Sequence, residues 1–468
     1  MISIQSKWSI GNEIKDNGDI GQLVIDGNNI SFHINGPADP FVRTFVGRND
    51  LDNYMVFTYG KKYEDSTGTF YHVAKAFLFK ETDSKDFVDD KIHGVTSFSF
   101  EIPELVDWLK LQSVELFYDN NEGMIIKEKK LIPILLKATN PKIYIKYETN
   151  FPFLNDNDKI EMTLRNAPRV FVEYEGIVDD SVVVDDIGKI MRFFALLMGR
   201  ISYANDIRVK LKDKMFPLRL YLNKDFSHNI NSNAYGLRFR TDVEKVFGNL
   251  QSYFEKWYSF SESQFTYLLD VFFRFNGKTT IRIEDLFLNY CKFLEGYDLR
   301  ISEDEKKANN LRDKLNEVLK DQTIKTKLSP IIIEAGSSKY KPKEIAKWIS
   351  NGFLGRVSLQ ERIKRLDEKY LKILSANSFD IIKKDDVNEF FKKLSMTRNY
   401  YSHFKTDSTD IFSLEEIYRT IELLDALVVA ILLSEMGLSV EEIKQIMIRD
   451  GKYWVILIHQ RQNAESAN

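Results

Sequence analysis

The spacing of apolar residues changes once along this chain, and that change limits what each half can become. Up to about residue 225, apolar residues recur at every second position in short runs; beyond the polar, Asn-rich stretch HNINSNAYG (His228 to Gly236) they recur every three to four. A period of two places alternate side chains on opposite faces of a strand, whereas a period near 3.6 aligns them in one stripe along a helix. The sequence therefore predicts an α+β multidomain protein, with a β-rich, sandwich- or barrel-like domain over residues 1–235 and an all-α helical bundle over residues 236–468. A length of 468 residues agrees with this, since one compact core of ordinary size does not extend so far.

In the first half, QLVIDGNNISFHING has two alternating runs around Gly27-Asn28-Asn29, a turn signal, and predicts an opening hairpin. Further β-branched and aromatic runs follow at YMVFTYG, TFYHVAKAFLF, VTSFSFEI, VELFYD, MIIKEKKL, KIYIKYE, RVFVEYEG, IRVKLKD and LRLYLNKD. Two pieces have helical spacing instead, ELVDWLKL (Glu104 to Leu111) and IGKIMRFFALLMGR (Ile187 to Arg200), and are expected to cap the sheet. In the second half, amphipathic segments succeed one another from DVEKVFGNLQSYFEKW to SVEEIKQIMI. Two of them open on a Ser followed three residues later by a Glu (Ser413 with Glu416, Ser439 with Glu442), the spacing of a capping box. The polar tail QRQNAESAN is expected to fray.

Cys291 is the only cysteine, so no intramolecular disulfide can form and a reducing cytoplasm is the simplest setting. The N-terminal MISIQSKWSI lacks the cationic and apolar regions of a signal peptide. The most apolar run, LLDALVVAILLS (Leu423 to Ser434), falls short of the roughly 20 residues that a membrane span needs and contains Asp425. It predicts a buried helix and no membrane association.

Most motif-like strings fail on their spacing. FNGKTT (Phe275 to Thr280) ends like a phosphate-binding loop, but Phe272 stands where the first glycine is required. NDNDKIE (Asn155 to Glu161) lacks the central glycine and terminal glutamate of a calcium loop. Asp185 and Asp186 in VVVDDIGK (Val182 to Lys189) read as carboxylates at a helix start, where the helix dipole favours them. The six histidines are scattered, none in His-x-x-x-His spacing, so neither a zinc site nor any other metal or cofactor is expected. No Gly-x-Ser-x-Gly nucleophile elbow occurs.

One string survives, MTRNYYSH (Met396 to His403). In DDVNEFFKKLSMTRNYYSHF, the apolar stripe Val387, Phe391, Leu394 steps next onto Arg398, which places an arginine on the inward face. A buried guanidinium needs a partner, so either a carboxylate meets it or the stripe ends in a cleft that takes an anion. Asn399 and His403 are four apart, hence on one helix face, so the amide can reach the imidazole. Residues 339–405 hold 16 Lys or Arg against 8 Asp or Glu, an excess that suits a phosphodiester backbone, in a chain of net charge -3. A second reading has equal weight on these grounds: Lys383, Lys384, Lys392 and Lys393 form a solvated face and Arg398 pairs with an acid on a neighbouring helix.

Arg398-Asn399-Tyr400-Tyr401-Ser402-His403 resembles the Arg-x(4 to 6)-His signature of HEPN ribonucleases, in which a polar residue follows the arginine. The motif stands late in a helix and is followed by a long amphipathic one, as in that family. The β-rich half, with IGQLVIDGNNISFHING and the Trp-containing FEIPELVDWLKL, is similar to the N-terminal domain of ApeA-type antiphage proteins. The resemblance implies a metal-independent HEPN endoribonuclease that acts in abortive infection. It would cleave host RNA, with tRNA as one suitable substrate, by 2′-OH attack in a composite cleft between two copies of the chain. On this reading Arg398 binds the scissile phosphate, His403 serves as general acid or base, and Asn399 holds the imidazole or the phosphate. Tyr401 is a base-stacking candidate, although a core or dimer contact is the more ordinary role, and Lys392 and Lys393 are candidates for the RNA backbone. Glu295 in CKFLEGY is a candidate acid to orient Arg398. The N-terminal domain would sense a phage-derived trigger and restrain the nuclease. The alternative is a non-catalytic HEPN-like helical dimer that binds RNA or a protein partner.

Overall fold

The structure is a computed structural model, and it describes the chain except for residues 12–17, 28, 36–38, 40, 49–51, 80–86, 89–90, 113, 120–122, 151–164, 200–202, 224–238, 276–280, 303, 335–340, 354–356, 384–385, 404–409, 451–452, 454–455 and 457–468. The expected boundary at 228–236, the loop NDNDKIE, nearly all of FNGKTT and the polar tail lie outside the described residues.

Six antiparallel strands close a barrel: β1 (Ile2–Ile10), β2 (Asp19–Asp26), β3 (Asn29–Ile34), β4 (Thr44–Arg48), β5 (Asn53–Glu64) and β6 (Thr69–Phe79), in the order β6-β3-β2-β1-β4-β5 with β5 also paired to β6. The hairpin at Gly27 is β2–β3, but the chain opens one strand earlier, because MISIQSKWSI is itself β1. Alternation fills the barrel with Ile4, Trp8, Leu23, Ile25, Phe32, Phe45 and Tyr71. Trp8 is directly opposite Gly47 in register, and a Cβ at Gly47 would come within 2.6 Å of the indole. Trp8 is 1% exposed and cannot yield, so Gly47→Ala should destabilise the protein by about 1–3 kcal/mol of overpacking. Urea denaturation followed by tryptophan fluorescence measures this, and an unchanged midpoint would refute it.

The sheet runs on from β6 in the order β16-β15-β9-β14-β13-β12, all antiparallel. Beside the short pair β7 (Phe87–Val88) and β8 (Lys91–Ile92), this extension comprises β9 (Val95–Glu101), β12 (Ile134–Lys137), β13 (Lys142–Asn150), β14 (Arg165–Val178), β15 (Asn205–Leu211) and β16 (Leu218–Leu222); β10 (Val114–Asp119) and β11 (Gly123–Glu128) form a separate hairpin. The strands β5 and β6 serve two cores at once. Tyr54, Val56, Tyr71 and Val73 face into the barrel, while Met55, Phe57, Phe77 and Phe79 join the larger core beneath the helices α1 (Leu105–Leu109) and α2 (Asp180–Met198). The expected helical caps are therefore present, but α2 starts seven residues earlier than its apolar spacing predicts. Its N-cap is Asp179, whose carboxylate accepts from the Ser181 and Val182 amides. Asp185 and Asp186 consequently lie inside the helix and do not cap it. Asp186 is buried and accepts hydrogen bonds from the Tyr174 hydroxyl at 2.7 Å, the Tyr258 hydroxyl at 2.6 Å and Lys189 at 2.9 Å.

After α3 (Val243–Val246) the second half is helical: α4 (Leu250–Ser261), α5 (Thr266–Phe275), α6 (Ile283–Ile301), α7 (Asp304–Leu319), α8 (Gln322–Glu334), α9 (Pro342–Phe353), α10 (Leu359–Lys369), α11 (Ile373–Ile382), α12 (Val387–His403), α13 (Leu414–Glu435) and α14 (Val440–Arg449). Both expected capping boxes are formed, at Ser413 with Glu416 and Ser439 with Glu442. The segment SLQERIKRLDEKYLKIL breaks into α10 and α11 where Leu371 and Lys372 adopt left-handed backbone, and Asp367 accepts from the Leu374 and Ser375 amides at the start of the new helix. Within the apolar run of α13, Asp425 is tolerated because the hydroxyls of Tyr290 and Tyr453 both donate to it at 2.6 Å. No helix among the described residues is long and apolar enough to cross a membrane. One continuous core joins the halves, with Phe193 of α2 edge-on to Phe254 of α4 at 4.9 Å.

Candidate active site

The sequence of α12 dictates which of its faces is buried. Phe390, Phe391, Leu394 and Thr397 point into the core, and Thr397 is held by two bonds: its hydroxyl donates to the Lys393 carbonyl at 2.8 Å and accepts from the Phe412 amide at 2.8 Å. The second bond fastens the end of α12 to the start of α13. Arg398 follows at the edge of this stripe, half-buried, with its side chain 22% exposed.

Its guanidinium meets α6. Arg398 Nη2 donates to Glu295 Oε2 at 2.6 Å, and Nη1 donates to Asn399 Oδ1 at 3.0 Å. Glu295 is 30% exposed, so the pair lies near the surface and not in the interior. One turn earlier on α6, Cys291 is fully buried in the core; burial pushes its thiol well above the ordinary range, Arg398 opposes that shift, and Glu295 adds to it. This thiol stays protonated and is a core residue, not a nucleophile.

Three residues beyond Glu295, the buried Asp298 receives Arg362 Nη1 at 2.9 Å, Arg365 Nε at 2.9 Å and Arg365 Nη2 at 2.5 Å, all from α10. Two carboxylates of α6 thus clamp arginines from two different helices. Asp298, Arg362 and Arg365 are not among the residues that the sequence singles out. The usable signal was Asp298 itself, an acid seven residues after Cys291 on the same apolar stripe.

The other residues singled out in the sequence fall in different places. His403 ends α12 and is exposed. The Asn399 amide oxygen is turned to Arg398, and no hydrogen bond joins Asn399 to His403 among the described residues, so the i to i+4 spacing does not by itself bring that pair together. Tyr401 is half-buried against the core, with its ring edge-on to Tyr400 at 5.1 Å; burial, Glu284 and Tyr400 raise its pKa. Lys393 is engaged by Glu416 at 2.9 Å and lies over the Phe412 ring, so its ammonium ties α12 to the cap of α13 and is not a free cation for RNA. Lys392 is exposed. Part of the local basic excess is neutralised internally in the same way, through Asp298 and Glu416.

Chemically, Arg398 offers a guanidinium with five N–H donors, of which Glu295 and Asn399 take one each among the described residues. The remaining donors are enough for a bidentate grip on a phosphate. An acid already hydrogen-bonded to Nη2 fixes the plane of the fork before any anion arrives.

A family model described as Apea-like HEPN matches residues 288–442, the stretch that contains Glu295, Arg398 and His403. A second, described as ApeA N-terminal domain 1, matches residues 53–257, from β5 of the barrel to α4. No curated protein and no solved structure matches the chain.

Proposed function

The chain belongs to the ApeA-type antiphage HEPN proteins, and from that premise we propose that it is a metal-independent endoribonuclease whose active cleft is completed by a second copy of itself. The observation that carries this reading is the partly exposed Arg398 fork, oriented by Glu295 and Asn399 with donors to spare.

Bound there, a scissile phosphate would have its developing charge stabilised by the guanidinium. His403 takes the proton of the ribose 2′-OH, or gives one to the departing 5′-oxygen. The O2′–P bond forms as the P–O5′ bond breaks, leaving a 2′,3′-cyclic phosphate and a 5′-OH. Single-stranded loops of a structured RNA such as tRNA present the unstacked nucleotides that this attack needs.

A second copy is invoked on helical geometry. Arg398 and His403 are five positions apart, which places them about 140° apart around α12 and about 7.5 Å apart along it. Within one chain the two side chains leave the helix on different sides, and a two-fold partner supplies the missing half of the cleft. The β-rich domain is proposed to hold this assembly in check until a phage component binds. In support, α2 is tied to the helical half through Lys189 with Glu262 at 2.9 Å and Arg192 with Asp270 at 2.5 Å.

The test is incubation of the purified chain with total RNA in EDTA, with end-group analysis of the products. Fragments ending in 2′,3′-cyclic phosphate, formed by the wild type and not by His403→Ala, are expected. Equal cleavage by both proteins would remove His403 from the mechanism. RNA that is bound but left intact would favour a non-catalytic RNA-binding dimer.

A further inference from the structure

Arg398 has a polar neighbour on its own side of α12. Ser402 follows it by four positions, which on a helix means about 40° around the axis and about 6 Å along it, within side-chain reach. It also directly precedes His403, so its phase falls between those of the two groups to which the reaction is assigned. The side chain is partly buried in the last turn of the helix.

What sets Ser402 apart is its hydroxyl. A serine or threonine inside a helix commonly donates to the carbonyl four residues back. The hydroxyls of Ser259, Thr326, Thr397 and Thr420 all do so here, at 3.0, 2.8, 2.8 and 2.7 Å. The Ser402 hydroxyl makes no hydrogen bond among the described residues, to the Arg398 carbonyl or to any other group. Its donor is therefore uncommitted beside a guanidinium that also has donors to spare.

An anion at Arg398 needs such help. The site lies toward the C-terminal end of α12, where the helix dipole disfavours negative charge. Glu295, bonded to Nη2, repels an incoming phosphate as well. A second cation would compete for Glu295 and loosen its hold on Arg398. A neutral O–H donor does not, and its bond to an anionic oxygen is short and roughly twice as strong as a neutral one.

On the ribonuclease reading, on which this rests, we propose that Ser402 is a substrate-binding residue of the same site. Its hydroxyl donates to one non-bridging oxygen of the phosphate that Arg398 grips.

Steady-state cleavage of bulk tRNA in EDTA by the full chain tests the assignment. Ser402→Ala should lower kcat/KM by about tenfold or more, the effect of losing one hydrogen bond to a charged group. The change removes no internal hydrogen bond and brings in the better helix former, so the melting temperature should hold or rise while activity falls. A merely structural serine would not give that combination. Ser402→Cys keeps the shape with only a weak donor and should behave like Ser402→Ala, whereas Ser402→Thr keeps the hydroxyl and should stay within about threefold of wild type. Ser395 is the control, since it is equally uncommitted and partly buried but lies one turn before Arg398, away from His403; Ser395→Ala should leave kcat/KM unchanged. A second arm needs no cleavage: in a His403→Ala background, adding Ser402→Ala should weaken binding of bulk tRNA by about threefold or more. Cleavage by Ser402→Ala within about threefold of wild type, or a loss in Ser402→Thr as deep as in Ser402→Ala, would overturn the proposal and leave the ribonuclease reading standing. Were the wild type to cleave nothing, the ribonuclease reading would fail, and unchanged binding in the second arm would overturn the Ser402 contact as well.

Discussion

Replacing Arg398 with Ala should lower RNA cleavage by the purified chain by roughly 10²–10³-fold, the usual effect of removing one preorganised charge donor from a reacting centre. The fold should survive the change. Arg398 sits at the rim of its helix stripe, not under it, and its partner Glu295 is 30% exposed, so the carboxylate left behind can be hydrated. Circular dichroism and a melting temperature close to wild type would confirm that the loss is chemical. Arg398→Lys is the sharper test. A lysine keeps the charge but loses the planar fork, and it cannot hold Glu295, Asn399 and a phosphate oxygen at fixed angles together. It should recover little of the activity. If Arg398→Lys restored cleavage to within about threefold of wild type, the bidentate reading would be wrong and charge alone would suffice. If Arg398→Ala itself were fully active, the Arg398 region would not be the active site.

Much of this site was legible in the sequence because it obeys helical phase. Arg398 at the end of an apolar stripe had to find either an acid or an anion, and Glu295 meets it. What phase cannot give is where a side chain turns once it leaves the helix. Asn399 and His403 share a face by spacing, yet the Asn399 oxygen takes the stronger donor next to it, the cationic Arg398. Lys393 looked like part of a solvated face, but the segment that brings Glu416 to it lies 23 residues away and depends on how α13 docks. The fold shows the same division. Period-two runs announced most strands, and TFYHVAKAFLF coincides with β6 to the residue. Closure of the first six strands into a barrel was beyond reach, because it rests on β5 pairing with both β4 and β6, a non-local choice. The early start of α2 was also hidden. Its first turns are rich in β-branched valines, which favour strands locally, and the helix is fixed there by the Asp179 cap and by Asp180, which receives Lys75 from β6 and the Ile92 amide.

The largest stability effect around the site should come from Asp298, not from any residue of the motif. Asp298→Ala is expected to cost roughly 3–5 kcal/mol, the range for removing one member of a buried ion cluster. The reason is asymmetric. Arg365 is 42% exposed and can swing its head into water when the carboxylate is gone, but Arg362 is only 11% exposed and its Nε is committed to the Val357 carbonyl at 3.2 Å. The penalty therefore falls chiefly on Arg362, as a guanidinium left buried without its counter-ion. Pairing the mutations checks this: Asp298→Leu with Arg362→Met replaces charge by apolar volume on both sides and should recover most of the loss. Urea denaturation of the single and double variants supplies the cycle, and a loss below about 1 kcal/mol for Asp298→Ala would show that the cluster does not hold α10 on α6. The consequence for chemistry follows from spacing along α6. Asp298 is less than one helical turn from Glu295, so the clamp on α10 also fixes the part of α6 that presents Glu295 to Arg398. In the double variant, where stability returns but the charge clamp does not, activity should stay below wild type; full activity would mean that packing alone sets the Glu295 to Arg398 geometry.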